Sequence, residues 1–314
     1  MAAVQVLHAV EDPQIQELLA RNEFFWLKLH GCSSEQIAEM GHKFGLHPLA
    51  IEDSQEFGQR PKLDDYETAA LLVFYGVDPD GTPVEVHFHV SGAWMITIHQ
   101  EGHEIFKYAE TRIGKEPPKT EEEAIYRVLD ALTDSFFPVL ETVDERIDEL
   151  MDAMLQSPSQ DQREELFHLR RRLIELRRIA TPQRDILARG GDVLGRLPGL
   201  EADDARDWFR DVYDHLVRIS ELIDSYRDLL SGALDLYLST VSNRLNAISK
   251  QLTVVATIFL PLTFVTGFFG QNFGTLVRHI NTPWAFWGYG VGSMILSALA
   301  LLWFFRRQGI LSDE

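Results

Sequence analysis

Between Gln251 and Val277 no side chain carries a charge, and between Ile280 and Phe305 none does either. Each run exceeds the roughly 20 apolar residues that a helix needs to cross a bilayer core. Two transmembrane helices follow, forming a domain over 251–307. Only a short linker around Arg278 and His279 separates them, so the pair reads as an antiparallel hairpin with both long flanks on one side. Arg244 and Lys250 precede the first span, and Arg306 and Arg307 follow the second. By the positive-inside tendency both termini are expected in the cytoplasm, weakly opposed by Arg278, with 308–314 as a short cytosolic tail.

The rest of the chain is polar. The 314 residues are 45% hydrophobic and 25% charged, enough for a sizeable core and two or three structural regions. The opening MAAVQVLHAVEDPQ has neither a basic n-region nor an apolar core, so no signal peptide is expected. Cys32 is the single cysteine, which excludes an intrachain disulfide and suits a reducing cytosol. The formal net charge of -19 argues against nucleic acid or anionic lipid as a partner of the soluble part and suits cations. It also fits a plain soluble acidic surface.

Residues 1–118 alternate short apolar stretches with turn signals: FFWLKLHG, TAALLVFYGVDPDG, VEVHFHVSG and AWMITIHQEG. These read as strands, the DPDG turn as a hairpin, and the segments SEQIAEMGHKFG and HPLAIEDSQEF as helices between them. A cytosolic α/β domain is expected. From Thr120 the spacing becomes helical, with a Thr cap and an acidic first turn in TEEEAIYRVLDALTDSFF. The helix continues through VDERIDELMDAML, breaks at SPSQDQ, resumes in REELFHLRRRLIELRRIA, and TPQRDILARGGDVLGRLPG is expected to wind down to a loop. Interleaved charges with an apolar stripe predict an antiparallel helical bundle over 119–250. From Pro198 and Gly199 to Pro261 nothing breaks the pattern. One helix of roughly 60 residues, about 90 Å long, should run from the cytosol into the membrane as a strut.

Read at alternating steps of four and three, the strut shows Asp235, Ser239, Ser242, Asn246, Ser249, Thr253, Ala256, Leu260, Thr263, Gly267 and Gly270. The spacing is that of a heptad seam, yet small and polar residues stand where leucine or isoleucine would. Hydrocarbon cannot satisfy hydroxyls and amides, so such a stripe must face water or protein. Several copies around an axis would turn it toward a shared aqueous path, with the second span outside. Small residues at this spacing also mediate dry helix packing. Asn246 and Asp235 favour the hydrated axis. The seam leads to Gly270, Gln271 and Asn272 at the end of the span. Amide and carbonyl oxygens there can bond the water shell of Mg2+, which dehydrates reluctantly, without the grip of carboxylates.

The stretch YLSTVSNRLNAISKQLTVVATIFLPLTFVTGFFGQNFG, residues 237–274, resembles the pore helix of the CorA family of magnesium transporters, whose signature ends in Gly-Met-Asn. HPLAIEDSQEFGQRPKLDDYE and FRDVYDHLVRI extend the resemblance over nearly the whole chain. It implies a funnel-shaped homopentamer in the lipid bilayer, an α+β membrane protein whose first span lines the pore. Gly270 and Asn272 would form the selectivity entrance, and Thr263 and Asn246 polar rings. Leu252 and Leu260 would form apolar constrictions that gate by dewetting. Asp235 would sit at the cytosolic mouth. Asp211 resembles the family's regulatory metal-binding aspartate between subunits, with Asp78 as its partner. The ion would be Mg2+, as substrate and regulatory ligand, then Co2+ or Ni2+, with Zn2+ and a proton-coupled route as in related zinc transporters. Two departures bear on this: Gln271 replaces the methionine, and the linker GTLVRHINTP lacks acidic residues.

Other signals are weaker. His87 and His89 share a strand face without a third ligand, and read as surface or cross-strand histidines rather than a metal site. Asp211 and His215 are one helical turn apart, as a metal pair or an ordinary surface pair. HLRRRLIELRR reads as a solvated face. No phosphate loop, nucleophile elbow or zinc-protease motif occurs, so neither an enzyme nor an organic cofactor is expected. The reading from another class is a non-conducting membrane-anchored metal sensor or scaffold.

Overall fold

The computed structural model describes residues 4–101, 103–116, 118, 120–194, 203–271, 274–279 and 282–308. Two compact units divide the chain, Met1–Leu234 and Asp235–Glu314.

The first unit is built on a six-stranded sheet. Its strands are β1 (Gln5–Leu7), β2 (Phe25–His30), β3 (Lys62–Asp65), β4 (Ala70–Val77), β5 (Pro83–Val90) and β6 (Trp94–His99), in the spatial order β1-β2-β6-β5-β4-β3. β1, β2 and β6 run parallel, and the β6-β5-β4-β3 side is antiparallel. The DPDG turn joins β4 to β5 as expected. Gly81 there takes φ +85°, a conformation that costs other residues, and its N–H donates to Asp78 O at 2.7 Å.

One sheet face is covered by α1 (Gln14–Arg21), α2 (Ser34–Lys43) and α3 (Pro48–Gln55). Ile15, Leu18, Ile37, Met40 and Ile51 pack there with Phe25, Leu27, Leu29, Ile96 and Ile98. Ser33 begins α2 through a reciprocal capping box with Gln36. The other face carries α4 (His103–Lys115) and α5 (Glu121–Asp134), brought so close to β4 that a Cβ on Gly76 would lie 2.8 Å from Leu132 and 3.2 Å from Ile105. Trp26 lies in this layer, its indole N–H donating to Thr97 Oγ1 at 2.9 Å and its ring 6.4 Å from Phe106.

Burial on both faces corrects the expectation for the strand histidines. β4 and β6 are buried throughout rather than in alternation, and His87 and His89 on β5 are 0% and 1% exposed, so neither is a surface residue. His89 Nε2 meets Ser54 Oγ at 2.8 Å, and His87 Nε2 meets Glu85 Oε1 at 2.8 Å under a stacked Phe57 ring. Each imidazole is thus a buried core group with its own partner, and His87 Nδ1 is buried without a hydrogen bond. Burial, then the charge of His87, depresses the His89 pKa to about 3.

α6 (Phe136–Gln156) and α7 (Gln160–Leu194) continue the helical layer, with the expected break at SPSQDQ. Ser159 caps α7 by exchanging hydrogen bonds with Gln162. TPQRDILARGGDVLGRLPG, expected to wind down to a loop, is instead helical through Pro182 to Leu194, and 195–199 lie outside the described residues. Tertiary contact outweighs the lost donor here: Gln183, fully buried beside the proline, accepts the backbone N–H of Tyr75 on β4.

α8 spans Asp203–Phe269, 67 residues, and continues past Pro261. The break expected at Pro261 is thereby corrected. The unit boundary falls within this helix. In the second unit α8 ends at Phe269, short of Val277, and Gly270 closes the turn by donating its N–H to Thr266 O at 2.9 Å. A separate short helix, α9 (Gly274–His279), precedes the second span, Pro283–Arg307, which contains a π-helical segment, Phe286–Val291.

Candidate cation path and cation cluster

The seam residues Asp235, Ser239, Ser242, Asn246, Ser249, Thr253, Ala256, Leu260, Thr263, Gly267 and Gly270 are all exposed. Val254, Ile258, Pro261, Leu262, Val265 and Phe269 on the same helix are half-buried, and their spacing marks the opposite face. Val265, Thr266, Phe269 and Gly270 line a cavity of about 520 Å3 together with Phe286, Gly290 and Met294 of the second span. The two spans therefore meet away from most of the seam. Leu252 and Leu260, the expected constrictions, are 68% and 73% exposed, and Phe264 is 71% exposed. In water each would forgo about 1.5–3 kcal/mol of burial, so the segment is built for lipid or for other helices.

Two hydroxyls on the seam have a defined direction. Thr253 donates to Ser249 O and Thr263 to Phe259 O, both at 2.8 Å. The O–H of each is consumed by its own helix, and what it presents outward is oxygen lone pairs. Acceptor oxygens such as these two suit cations or their water shells better than anions. Gln271 is described and exposed, its N–H donating to Phe268 O at 3.3 Å. Asn272, expected at the selectivity entrance, lies outside the described residues.

The second candidate site is in the first unit, where two helices present residues at four-residue spacing. α5 carries Tyr126, Asp130 and Asp134 on one stripe, and α8 carries Asp211 and His215. Asp130, Asp134 and His215 bring ligand atoms within 4.8 Å of one another. His215 Nδ1 lies 3.5 Å from Asp130 Oδ1 and 3.3 Å from Asp134 Oδ1, while its Nε2 faces Asp211 Oδ1 at 4.0 Å. Asp130 is 2% exposed, and its Oδ1 and His215 Nδ1 are buried without a hydrogen bond. A cation between them would satisfy both atoms. Burial, then the Asp130 charge, pushes the Asp134 carboxyl above the usual aspartate range. Arg112 on α4 donates to Asp130 Oδ2 at 2.8 Å, supplying a partner for a buried charge.

Sequence reading reached Asp211 and His215 but passed over Asp130 and Asp134. Their spacing of four on an acidic helix was the available signal. Asp78 has different company: burial, then the charges of Asp80, Glu101 and Glu104, raises its pKa. The partnership expected between Asp78 and Asp211 was one between subunits and stays a proposal.

A long helix that enters a two-span hairpin along an acceptor seam, joined to an α/β unit with a carboxylate–histidine cluster, defines a membrane protein that handles cations. The family described as "CorA-like Mg2+ transporter protein" matches residues 21–307, and the chain belongs to that family of divalent cation transporters. It is 32% identical over 287 residues to the cobalt/magnesium transport protein CorA of Thermotoga maritima, covering 88% of this chain and 80% of that one. The zinc transport protein ZntB of Pectobacterium atrosepticum is 30% identical over 182 residues, 58% of this chain and 54% of that protein. The solved structure of the CorA magnesium transporter from Methanocaldococcus jannaschii shares the fold, with a TM-score of 0.78 at 23% identity, covering 91% of each chain.

Proposed function

We propose that the chain forms a homopentameric channel in the cytoplasmic membrane, with both termini in the cytosol, that carries Mg2+ inward and also Co2+ and Ni2+. The observation that carries this reading is the row of exposed seam residues from Asp235 to Gly270 on a helix too apolar for water. Copies of the chain placed around an axis turn these rows toward a shared path, and the half-buried face of the same helix keeps the second span outside. Gly270, Gln271 and Asn272 form the selectivity entrance. Asp235, Ser242, Asn246, Ser249, Thr253, Ala256, Thr263 and Gly267 line the pore, and Leu252 and Leu260 constrict it. Transport runs down the electrochemical gradient, with about 2.3 kcal/mol per charge per 100 mV of membrane potential.

The cluster of Asp130, Asp134 and His215, with Asp211 beside it, acts as the cytosolic sensor, and Asp78 of a neighbouring subunit completes the regulatory contact. A bound divalent ion holds acidic surfaces together, and its loss lets them repel and loosens the ring. The imidazole nitrogen suits Co2+, Ni2+ and Zn2+ better than it suits Mg2+. It is a specific reason to keep Zn2+ as a second transported or sensed ion. The test is isotope flux into proteoliposomes containing assembled oligomers. Uptake of Mg2+ by wild type supports the reading. No uptake of Mg2+, Co2+, Ni2+ or Zn2+ would leave the non-conducting sensor in its place.

A further inference from the structure

We propose that the pocket between α4, α5 and the start of α8 binds a nucleoside phosphate as its Mg2+ complex. The inference goes beyond the transport reading and does not depend on it. The pocket measures about 360 Å3, at the small end of the roughly 300–1,000 Å3 of small-molecule sites. Its wall carries three cations, Arg112 and Lys115 on α4 and Arg127 on α5, in a chain whose formal net charge is -19. Two aromatic rings and two carboxylates complete it.

The cations have donors to spare. Arg112 spends one N–H on Asp130 at 2.8 Å, while Arg127 gives one to Glu123 at 2.6 Å and another to the Glu116 carbonyl. A guanidinium carries five, so both arginines keep N–H groups in the planar arrangement that suits phosphate. Lys115 is exposed, and among the described residues its ammonium makes no hydrogen bond or ion pair. The aromatic wall is Trp208 of α8 and Tyr126 of α5, whose half-buried rings meet at 89° with centroids 4.7 Å apart. An edge-on contact covers one face of one ring, which leaves ring surface on the wall for a planar base.

The carboxylates decide the form of the ligand. Glu123 is matched by Arg127, whereas the Glu116 carboxylate is 85% exposed and lies 4.0 Å from the same guanidinium. A bare phosphate beside Glu116 would be repelled. A Mg2+ ion between that carboxylate and the phosphate oxygens turns the repulsion into a bridge, since Mg2+ is commonly held by one or two carboxylates together with phosphates. Arg112, Lys115 and Arg127 then meet the remaining phosphate charge, and the base lies against Trp208 and Tyr126.

The test uses the full-length protein in lipid nanodiscs with excess MgCl2 and mant-ADP as the probe, read by energy transfer from tryptophan to the mant group. Wild type should bind the probe saturably, and ADP should displace it where adenosine does not. Lys115→Gln should weaken binding about tenfold, as loss of one charged contact does. Trp208→Leu should lower both the affinity and the energy-transfer signal. Replacing MgCl2 by EDTA should weaken binding to wild type more than to Glu116→Gln, because only wild type then sets a carboxylate against a bare phosphate. No saturable signal, or equal affinities for wild type, Lys115→Gln and Trp208→Leu, would overturn the site. Displacement by pyrophosphate as effective as by ADP would overturn the nucleotide, and an equal loss with EDTA in wild type and Glu116→Gln would overturn the metal bridge. None of these readouts requires the chain to conduct ions.

Discussion

One helix supplies both candidate sites, and its two parts complete them in different ways. Between Asp207 and Leu234, α8 buries Val212, Leu216, Ile219 and Ile223 within its own unit and holds His215 against Asp130 and Asp134. Every ligand atom of that cluster comes from one chain. Between Asp235 and Gly270, the seam residues of the same helix are exposed, and the face that finds partners is the one turned to the second span. A cluster whose ligand atoms all come from one chain and, in the proposed reading, a conduit that needs other copies respond to different perturbations. The cluster should answer to point charges, and the seam to assembly and to side-chain volume.

The sharpest separation of the two comes from the proposed selectivity entrance. Asn272→Ala should reduce Mg2+ uptake to the level of empty liposomes and leave Co2+-dependent trypsin resistance of the first unit unchanged. Loss of both together would mean that the two sites are not separable.

Charge changes at the cluster should do the reverse. Arg112→Gln leaves Asp130, 2% exposed, without its arginine partner. Because Arg112 itself is 38% exposed, the expected loss of metal-free stability is on the order of 1–2 kcal/mol rather than that of a fully buried pair. Divalent ions should restore part of it, so the thermal rise on adding Co2+ should exceed that of wild type. A smaller rise would show that Arg112 helps to hold the ion instead of standing in for it. Asp211→Ala should weaken Mg2+-dependent protection from protease. An unchanged protection curve counts against a sensor at that aspartate.

The sheet beneath the cluster contributes a pH dependence of its own. His89 is neutral in the folded protein down to about pH 3, whereas the unfolded chain protonates it near the ordinary value of 6.5. Protons therefore favour the unfolded state between these values. Stability present above pH 6.5 should fall as pH drops toward 3, at up to ~1.4 kcal/mol per pH unit for this one group. Thermal unfolding at pH 7.5 and 5.0 checks it, and His89→Gln should flatten the difference between the two. The smallest effect belongs to Gln271→Met, which should reorder the preference among Mg2+, Co2+ and Ni2+ by a few-fold without abolishing flux.

How much could be read in advance differs along the same division. The four long strands were legible because their apolar runs sit between turn signals. β1 is three residues long, and β3, KLDD, is a polar edge strand, so neither has a pattern that distinguishes it from loop. Two helices run further than expected: α7 stays helical from Thr181 to Leu194, and α8 passes through Pro261. His87 and His89 were misplaced because alternation in a strand cannot reveal that helices cover both faces of the sheet. The seam was legible as a period, and all of its residues are exposed. The cluster was half legible, since Asp211 and His215 are local to one helix, while their meeting with Asp130 and Asp134 depends on how α5 and α8 pack. The entrance at Asn272 still rests on the sequence alone.

The central claim is that the seam faces water and other copies of itself, and cysteine accessibility tests it most directly. The chain has one native cysteine, so a Cys32→Ser background is silent. Thr253→Cys, Thr263→Cys and, on the second span, Leu296→Cys are placed in that background and exposed in proteoliposomes to a membrane-impermeant thiol reagent during Mg2+ uptake. The account predicts that reagent reacts at 253 and 263 and stops uptake, while 296 stays unmodified. Unreactive cysteines at 253 and 263 in protein that still conducts Mg2+ would contradict it, because the seam would then be a dry packing surface and the ion would take another path.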